Sequence, residues 1–128
     1  MELREEWNYL LRNKDDIYIY GAGKYGKRIW KLLKTSGKEQ NVLGFLVSDL
    51  YNNPTMIEDK PVCALNSIEN KDALILIAVS DQFQEEIASI LEKLQFHNVI
   101  NAYKYAFLDK GGGKSCRYMY IITEAICG

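Results

Sequence analysis

The stretch Gly21-Ala22-Gly23-Lys24-Tyr25-Gly26 constrains this chain more than any other, because of what stands on either side of it. Before it, Ile17-Tyr18-Ile19-Tyr20 is a short β-branched and aromatic run, the composition of a strand. After it, Ile29, Trp30, Leu32 and Leu33 recur at helical spacing, which predicts a helix from about Lys24 to Thr35 with Gly37 as its stop. Gly21 permits a tight turn out of the strand. Gly23 lets backbone approach a bound group with no β-carbon in the way, and Gly26 lets the helix pack closely on the strand. Unpaired amides in the first turn and the positive end of the helix dipole favour an anion there. Lys24, Lys27 and Arg28 either add charge to that position or stay solvated. The competing reading is a glycine turn that packs well and binds nothing.

The remaining pattern decides what this turn is built into. Leu3, Trp7, Leu10 and Leu11 predict an amphipathic helix over residues 2–13 that lies against the domain. Val42-Leu43-Gly44-Phe45-Leu46-Val47 is a second strand, and residues 50–61 are a polar connection carrying the turn signal Asn52-Asn53-Pro54. Pro61-Val62-Cys63-Ala64 is a short third strand, followed by a helical turn around Ser67–Asn70. Residues 73–79, Ala-Leu-Ile-Leu-Ile-Ala-Val, form the most apolar run, as suits a central strand of a parallel sheet covered on both faces. Ser80-Asp81-Gln82-Phe83-Gln84 opens a helix with Ile87, Ile90, Leu91 and Leu94 on one face, and Asp81 with Gln84 has capping-box spacing. Asn98-Val99-Ile100 is a fifth strand. The order β-α-β-β-α-β calls for an α/β fold of Rossmann-like type, with a parallel sheet of strand order 3-2-1-4-5 and helices on both faces.

Three segments follow from this reading: an N-terminal helix over 1–14, a Rossmann-like nucleotide-binding domain over 15–102, and an extension over 103–128. The extension holds the glycine-rich hinge Lys110-Gly111-Gly112-Gly113-Lys114 and a further strand or interface segment, Tyr118-Met119-Tyr120-Ile121-Ile122-Thr123.

In this context the Gly-x-Gly-x-x-Gly spacing has the strand-to-helix setting of a dinucleotide fingerprint. Its usual complement is an acidic residue about 20 residues on, holding ribose hydroxyls. Asp49 is the candidate, with Ser48 beside it, although it lies 28 residues after Gly21. It reads equally as the first residue of a turn. Ser80 and Asp81 belong to the same carboxyl edge of the sheet, either touching a ligand or capping the next helix. Val47-Ser48-Asp49 and Val79-Ser80-Asp81 should therefore face one crevice.

Composition excludes several other functions. With 16 basic and 17 acidic side chains the chain lacks the basic excess of a general nucleic-acid binder. No segment reaches the roughly 20 apolar residues that span a bilayer, and the acidic start lacks a secretory core. Cys63, Cys116 and Cys127 form no CxxC pair, which predicts free thiols in a reducing cytoplasm; with one histidine, His97, no zinc site is expected. No nucleophile elbow, P-loop Lys-Ser/Thr pair or catalytic carboxylate pair is found. Tyr20 and Lys24 match a Tyr-x-x-x-Lys dehydrogenase spacing but span the glycine turn, so the match is read as coincidence. The nine tyrosines, Tyr18, Tyr20, Tyr103, Tyr105, Tyr118 and Tyr120 among them, suit packing or a subunit interface.

Residues 19–27, Leu32-Leu33, Gly44–Asp49, Lys60-Pro61-Val62 and Ile75–Val79 together resemble small Rossmann-like domains attached to bacterial surface-polysaccharide enzymes. These include nucleotide-sugar epimerase/dehydratase-like proteins, sugar acyltransferases and phosphocholine-type transferases. The resemblance covers about residues 15–102. It implies a unit that binds NAD(P), CoA or a nucleotide sugar, with Gly21, Gly23 and Gly26 at phosphate and Ser48 or Asp49 near the sugar. Where many relatives carry an aspartate after the Gly-Phe-aliphatic stretch, this chain has Val47, and its aspartate follows two positions later. The expected partner is a small nucleotide-type ligand, with a second copy or a transferase domain as protein partner. A minimal NAD-dependent oxidoreductase or epimerase and an interaction module with a vestigial site are the alternatives.

Overall fold

A computed structural model of the chain describes residues 2–108. It has an α/β architecture in the order α1 (Leu3–Leu11), β1 (Ile17–Tyr20), α2 (Lys24–Thr35), β2 (Val42–Val47), β3 (Met56–Ile57), β4 (Lys60–Ala64), β5 (Leu74–Ile77), α3 (Gln84–Lys93) and β6 (Asn98–Asn101). Short 3-10 turns at Leu65–Ser67, Asp81–Phe83 and Tyr103–Tyr105 link or follow these elements. The hinge at 110–114, the segment 118–123, Cys116 and Cys127 lie outside the described residues.

The six strands form one sheet in the order β3-β4-β2-β1-β5-β6. β4-β2, β2-β1, β1-β5 and β5-β6 are parallel pairs, and β3 pairs antiparallel with β4. The five strands expected from sequence, here β1, β2, β4, β5 and β6, lie in the relative order β4-β2-β1-β5-β6, and β3 makes the sheet six-stranded by adding an edge outside β4. The segment expected to be a polar connection supplies an extra edge strand, with Met56 opposite Pro61 and Ile57 opposite Lys60. Glu58 makes the tight reversal by taking a φ of 54°, a left-handed conformation that its residue type does not advertise.

Strand alternation splits the core between the two faces. Ile17, Ile19, Phe45, Val47, Leu74 and Leu76 pack with Ile29, Trp30, Leu32 and Leu33 of α2 and with Trp7 and Leu11 of α1. Tyr20, Leu46, Ile75 and Ile77 pack with Leu91 of α3, with Phe96, and with Leu65 and Ile68. Helices therefore cover both faces. β2 keeps this alternation only from Gly44 onward. The register with β1 jumps from Val42 to Gly44, and Leu43, the extra residue, turns outward and is 41% exposed.

Other local expectations shift. α1 is shorter than residues 2–13, and the apolar run at 73–79 pairs as a strand only over Leu74–Ile77. The helical turn expected at Ser67–Asn70 is a 3-10 turn at Leu65–Ser67. No capping box joins Asp81 to Gln84, because Gln84 is the first residue of α3 and its amide turns inward.

α1 and the turn after β6 belong to the same core. Trp7 and Tyr105 are both fully buried with ring centroids 5.1 Å apart, and the Trp7 indole N–H donates to Ser36 Oγ at 3.0 Å. Tyr105 donates its hydroxyl to Glu6, which also pairs with Lys104 at 2.9 Å.

Candidate functional site

The chain leaves β1 through α2 to β2 and then adds β4 outside it. It next returns to the opposite flank of β1 for β5, and adds β6 beyond that. The order of addition therefore reverses at β1 and β5. In open α/β sheets ligands occupy the crevice at the carboxyl ends of the strands where this happens. Gly21 stands at that point.

Backbone bonds clamp the turn from both sides. The Gly21 N–H donates to the Leu46 carbonyl at 2.9 Å, and the Ala78 N–H donates to the Tyr20 carbonyl at 2.9 Å. Gly21 takes φ 121°, and a β-carbon there would lie 2.6 Å from the Ala78 carbonyl oxygen. A β-carbon on Gly26 would lie 2.9 Å from the Gly21 carbonyl carbon and closer still to its oxygen. These two glycines are thus fixed by fold geometry. Gly23 differs: a β-carbon there meets nothing within 4 Å, so its small size serves open space in front of the helix.

Gly23 is the N-cap of α2 and offers no side-chain cap, and the first turn contains no acidic residue. The first intrahelical bond runs from Lys27 N–H to the Gly23 carbonyl at 3.1 Å. The amides of Lys24, Tyr25 and Gly26 precede it and have no acceptor within the helix. Gly23 and Lys24 are exposed, and Ala22 and Tyr25 are half-buried. The Lys24 ammonium lies 5.2 Å from the Tyr25 ring centre, and the Arg28 guanidinium lies 5.8 Å from it.

The strand ends on either side of the turn carry the other expected residues. Ser48, past the end of β2, shares a hydrogen bond with the Tyr20 hydroxyl. The Tyr20 hydroxyl thus holds the Ser48 side chain at the end of β2. Asp49 Oδ1 accepts the Tyr51 N–H at 2.9 Å, and the Asp49 carbonyl accepts Asn53 Nδ2 at 2.8 Å. One carboxylate oxygen is thus committed to a turn, while the exposed residue keeps its other oxygen outside that turn. Ser80 is half-buried and precedes the Asp81–Phe83 turn without a side-chain cap bond; the Phe83 N–H donates to its carbonyl at 3.0 Å.

Residues that the sequence reading gave other roles, or none, complete the edge. Gln84 is buried, and its Nε2 donates to the carbonyls of Val79 at 2.7 Å and Ile77 at 3.3 Å, closing the end of β5. Its Oε1 is buried with no partner among the described residues. The legible signal was its place in the apolar stripe Gln84-Ile87-Leu91, where a polar side chain needs an internal reason. Tyr103 and Phe107 reach back from beyond β6 to Tyr25, with ring centroids 5.1 Å and 6.1 Å from it. Burial first, and then the Tyr25 hydroxyl and the Asp81 carboxylate, push the Tyr103 hydroxyl above its ordinary pKa. No sequence periodicity announces that contact.

A cavity of about 490 Å³, lined by Tyr9, Arg12, Lys14, His97 and Ile100 among others, opens at the opposite, amino edge, away from the turn. Among the described residues no group of three or more His, Cys, Asp or Glu is placed to hold a metal ion. Nor is any described helix long and apolar enough to cross a membrane. Comparison with protein-family models, curated proteins and solved structures gives no match to this chain.

Proposed function

We propose that this chain is a cytoplasmic nucleotide- or nucleotide-sugar-binding module of Rossmann-like type, serving surface-polysaccharide synthesis by holding or sensing its ligand for a partner domain. One observation carries the binding reading. An uncapped, acid-free helix start stands behind an open Gly23 at the point where the strand order reverses. Phosphate oxygens would come up to the open backbone at Gly23 and meet the amides of Lys24 and Tyr25, with Gly21 and Gly26 supporting the turn. Ser48 and Asp49 would lie on the sugar side, and Ser80 on the β5 side. The link to polysaccharide chemistry rests on the sequence resemblance alone.

The test is a thermal-shift panel of NAD, NADP, UDP-sugars, CMP-sugars and CoA at millimolar concentration. A ligand present at a hundred times its Kd stabilises the fold by about 2.7 kcal/mol, which such a panel resolves. Gly23→Asp places a carboxylate where the phosphate would sit, in a position with room for it. The expected outcome is a shift in the wild type and none in a still-folded Gly23→Asp protein. No shift with any ligand defeats the proposal. The rival reading, an interaction module with a vestigial turn, is favoured by the engagement of Tyr25 with Tyr103 and Phe107, and it predicts that blank result.

A further inference from the structure

A dinucleotide uses an open α/β sheet as two halves, one nucleotide on each side of the reversal point. The two sides of this chain are unlike. On the β2 side the surface is open: Ser48 and Asp49 are exposed, and Lys27 lines a cavity of about 330 Å³ with Pro54, Met56, Ile57 and Glu58.

The β5–β6 side is occupied by the chain itself. After β6 the backbone folds back as the turn Tyr103–Tyr105 and lays its rings on the start of α2. Tyr25, Tyr103 and Phe107 meet edge to face, with Tyr103 and Phe107 centroids 5.5 Å apart. Arg28 lies 5.0 Å from the Phe107 ring centre, and Asp81 at the end of β5 stands near enough to Tyr103 to act on it electrostatically. Edge-to-face packing fills the space between the three rings, so a group entering that space must displace one of them.

We propose that the Tyr25–Tyr103–Phe107 cluster fills the second nucleoside position with the protein's own rings. The glycine turn then takes ligands with a single nucleoside, as nucleoside diphosphates or their sugar esters, and rejects dinucleotides. This rests on the reading of the turn as a nucleotide site. The discrimination has a chemical basis. A sugar on the distal phosphate is small and well hydrated and can point outward from the cluster. A second nucleoside brings a ring and a ribose into occupied space, and an oxidised nicotinamide is a cation that would face Arg28 and Lys24.

Calorimetric titration of the full chain with ADP, UDP-glucose, NAD and NADH tests this. The expected result is that ADP or UDP-glucose binds at least about tenfold more tightly than either dinucleotide. The double variant Tyr103→Ala/Phe107→Ala, verified as folded by circular dichroism, should narrow that ratio by strengthening dinucleotide binding. Should the double variant not fold, Phe107→Ala alone, at a ring already 38% exposed, serves the same purpose. Dinucleotides binding the wild type as tightly as ADP would overturn the proposal while leaving the nucleotide site standing. An unchanged ratio in a folded variant overturns it as well. If no nucleotide binds, the reading of the turn fails and this inference goes with it.

Discussion

Replacing Gly26 by alanine adds one methyl group at the tightest point of the fold. That methyl would sit 2.9 Å from the Gly21 carbonyl carbon and nearer to its oxygen, where comfortable contact needs about 3.5 Å or more. Both atoms are backbone, and the Gly21 peptide is itself held by Leu46, while its position against Ala78 is already close. Neither side can yield by a rotamer change, so α2 must move off β1 and disturb Ile29, Trp30 and Leu33 beneath it. Overpacking of this kind costs about 1–3 kcal/mol and more where backbone has to shift. The helix preference of alanine over glycine returns up to about 1 kcal/mol. The net expectation is a loss of about 2 kcal/mol, equivalent to a Tm drop of about 10 °C for a domain near this size. Urea unfolding followed by far-UV circular dichroism measures it. Gly23→Ala is the matched control, since its methyl meets nothing within 4 Å, and it should lose no more than the roughly 1 kcal/mol of a poorer N-cap. Were the Gly26 variant as stable as the Gly23 variant, the argument that close helix–strand contact fixes Gly26 would be wrong.

Trp7→Ala should destabilise the domain by about 3–5 kcal/mol, because it empties a fully buried site against Tyr105 and removes the indole bond to Ser36; chemical denaturation would show it. An unaffected midpoint would mean that α1 is not part of the core. The Tyr105 and Lys104 contacts hold the Glu6 carboxyl below its ordinary pKa of 4.5. Its contribution is therefore present above about pH 4.5 and lost as the pH falls through the lowered value. Melting curves against pH should show the wild type above Glu6→Gln at neutral pH, with the gap closing in acid. Burial and the neighbouring Glu6 push the Tyr105 hydroxyl above its ordinary value of 10.0. Its contribution persists below that pH and is lost on going more alkaline, so Tyr105→Phe should flatten the alkaline limb of the same profile.

Much of the fold was legible because its signals are local. The run Ile17–Tyr20, the glycine turn and the stripe Ile29-Trp30-Leu32-Leu33 place β1 and α2 from neighbouring residues alone, and α2 spans Lys24–Thr35 as its spacing indicates. At the candidate site, the three glycines could be given distinct tasks from geometry that any strand–turn–helix imposes. Asp49 could not be settled in the same way, because a turn and a ribose contact ask for the same side chain at the same place. Its bond to the Tyr51 N–H shows the turn role directly and leaves the ligand role to experiment. The hairpin at Met56–Ile57 escaped notice because its turn uses Glu58 in a conformation for which glycine or asparagine is the customary signal.

The sequence by itself determined the glycine turn, the elements that flank it and the alternation that divides one face of the sheet from the other. These depend on periodicity and backbone freedom within a few residues, which survive without knowledge of neighbours in space. Only the tertiary structure decided what surrounds the turn: Tyr20 holding Ser48, Gln84 closing β5, and Tyr103 and Phe107 returning to Tyr25. Each is a meeting of residues brought together by sheet order and packing. Side chains of the same type could have packed elsewhere with equal local consistency, so no pattern in the chain fixes these partners before it folds.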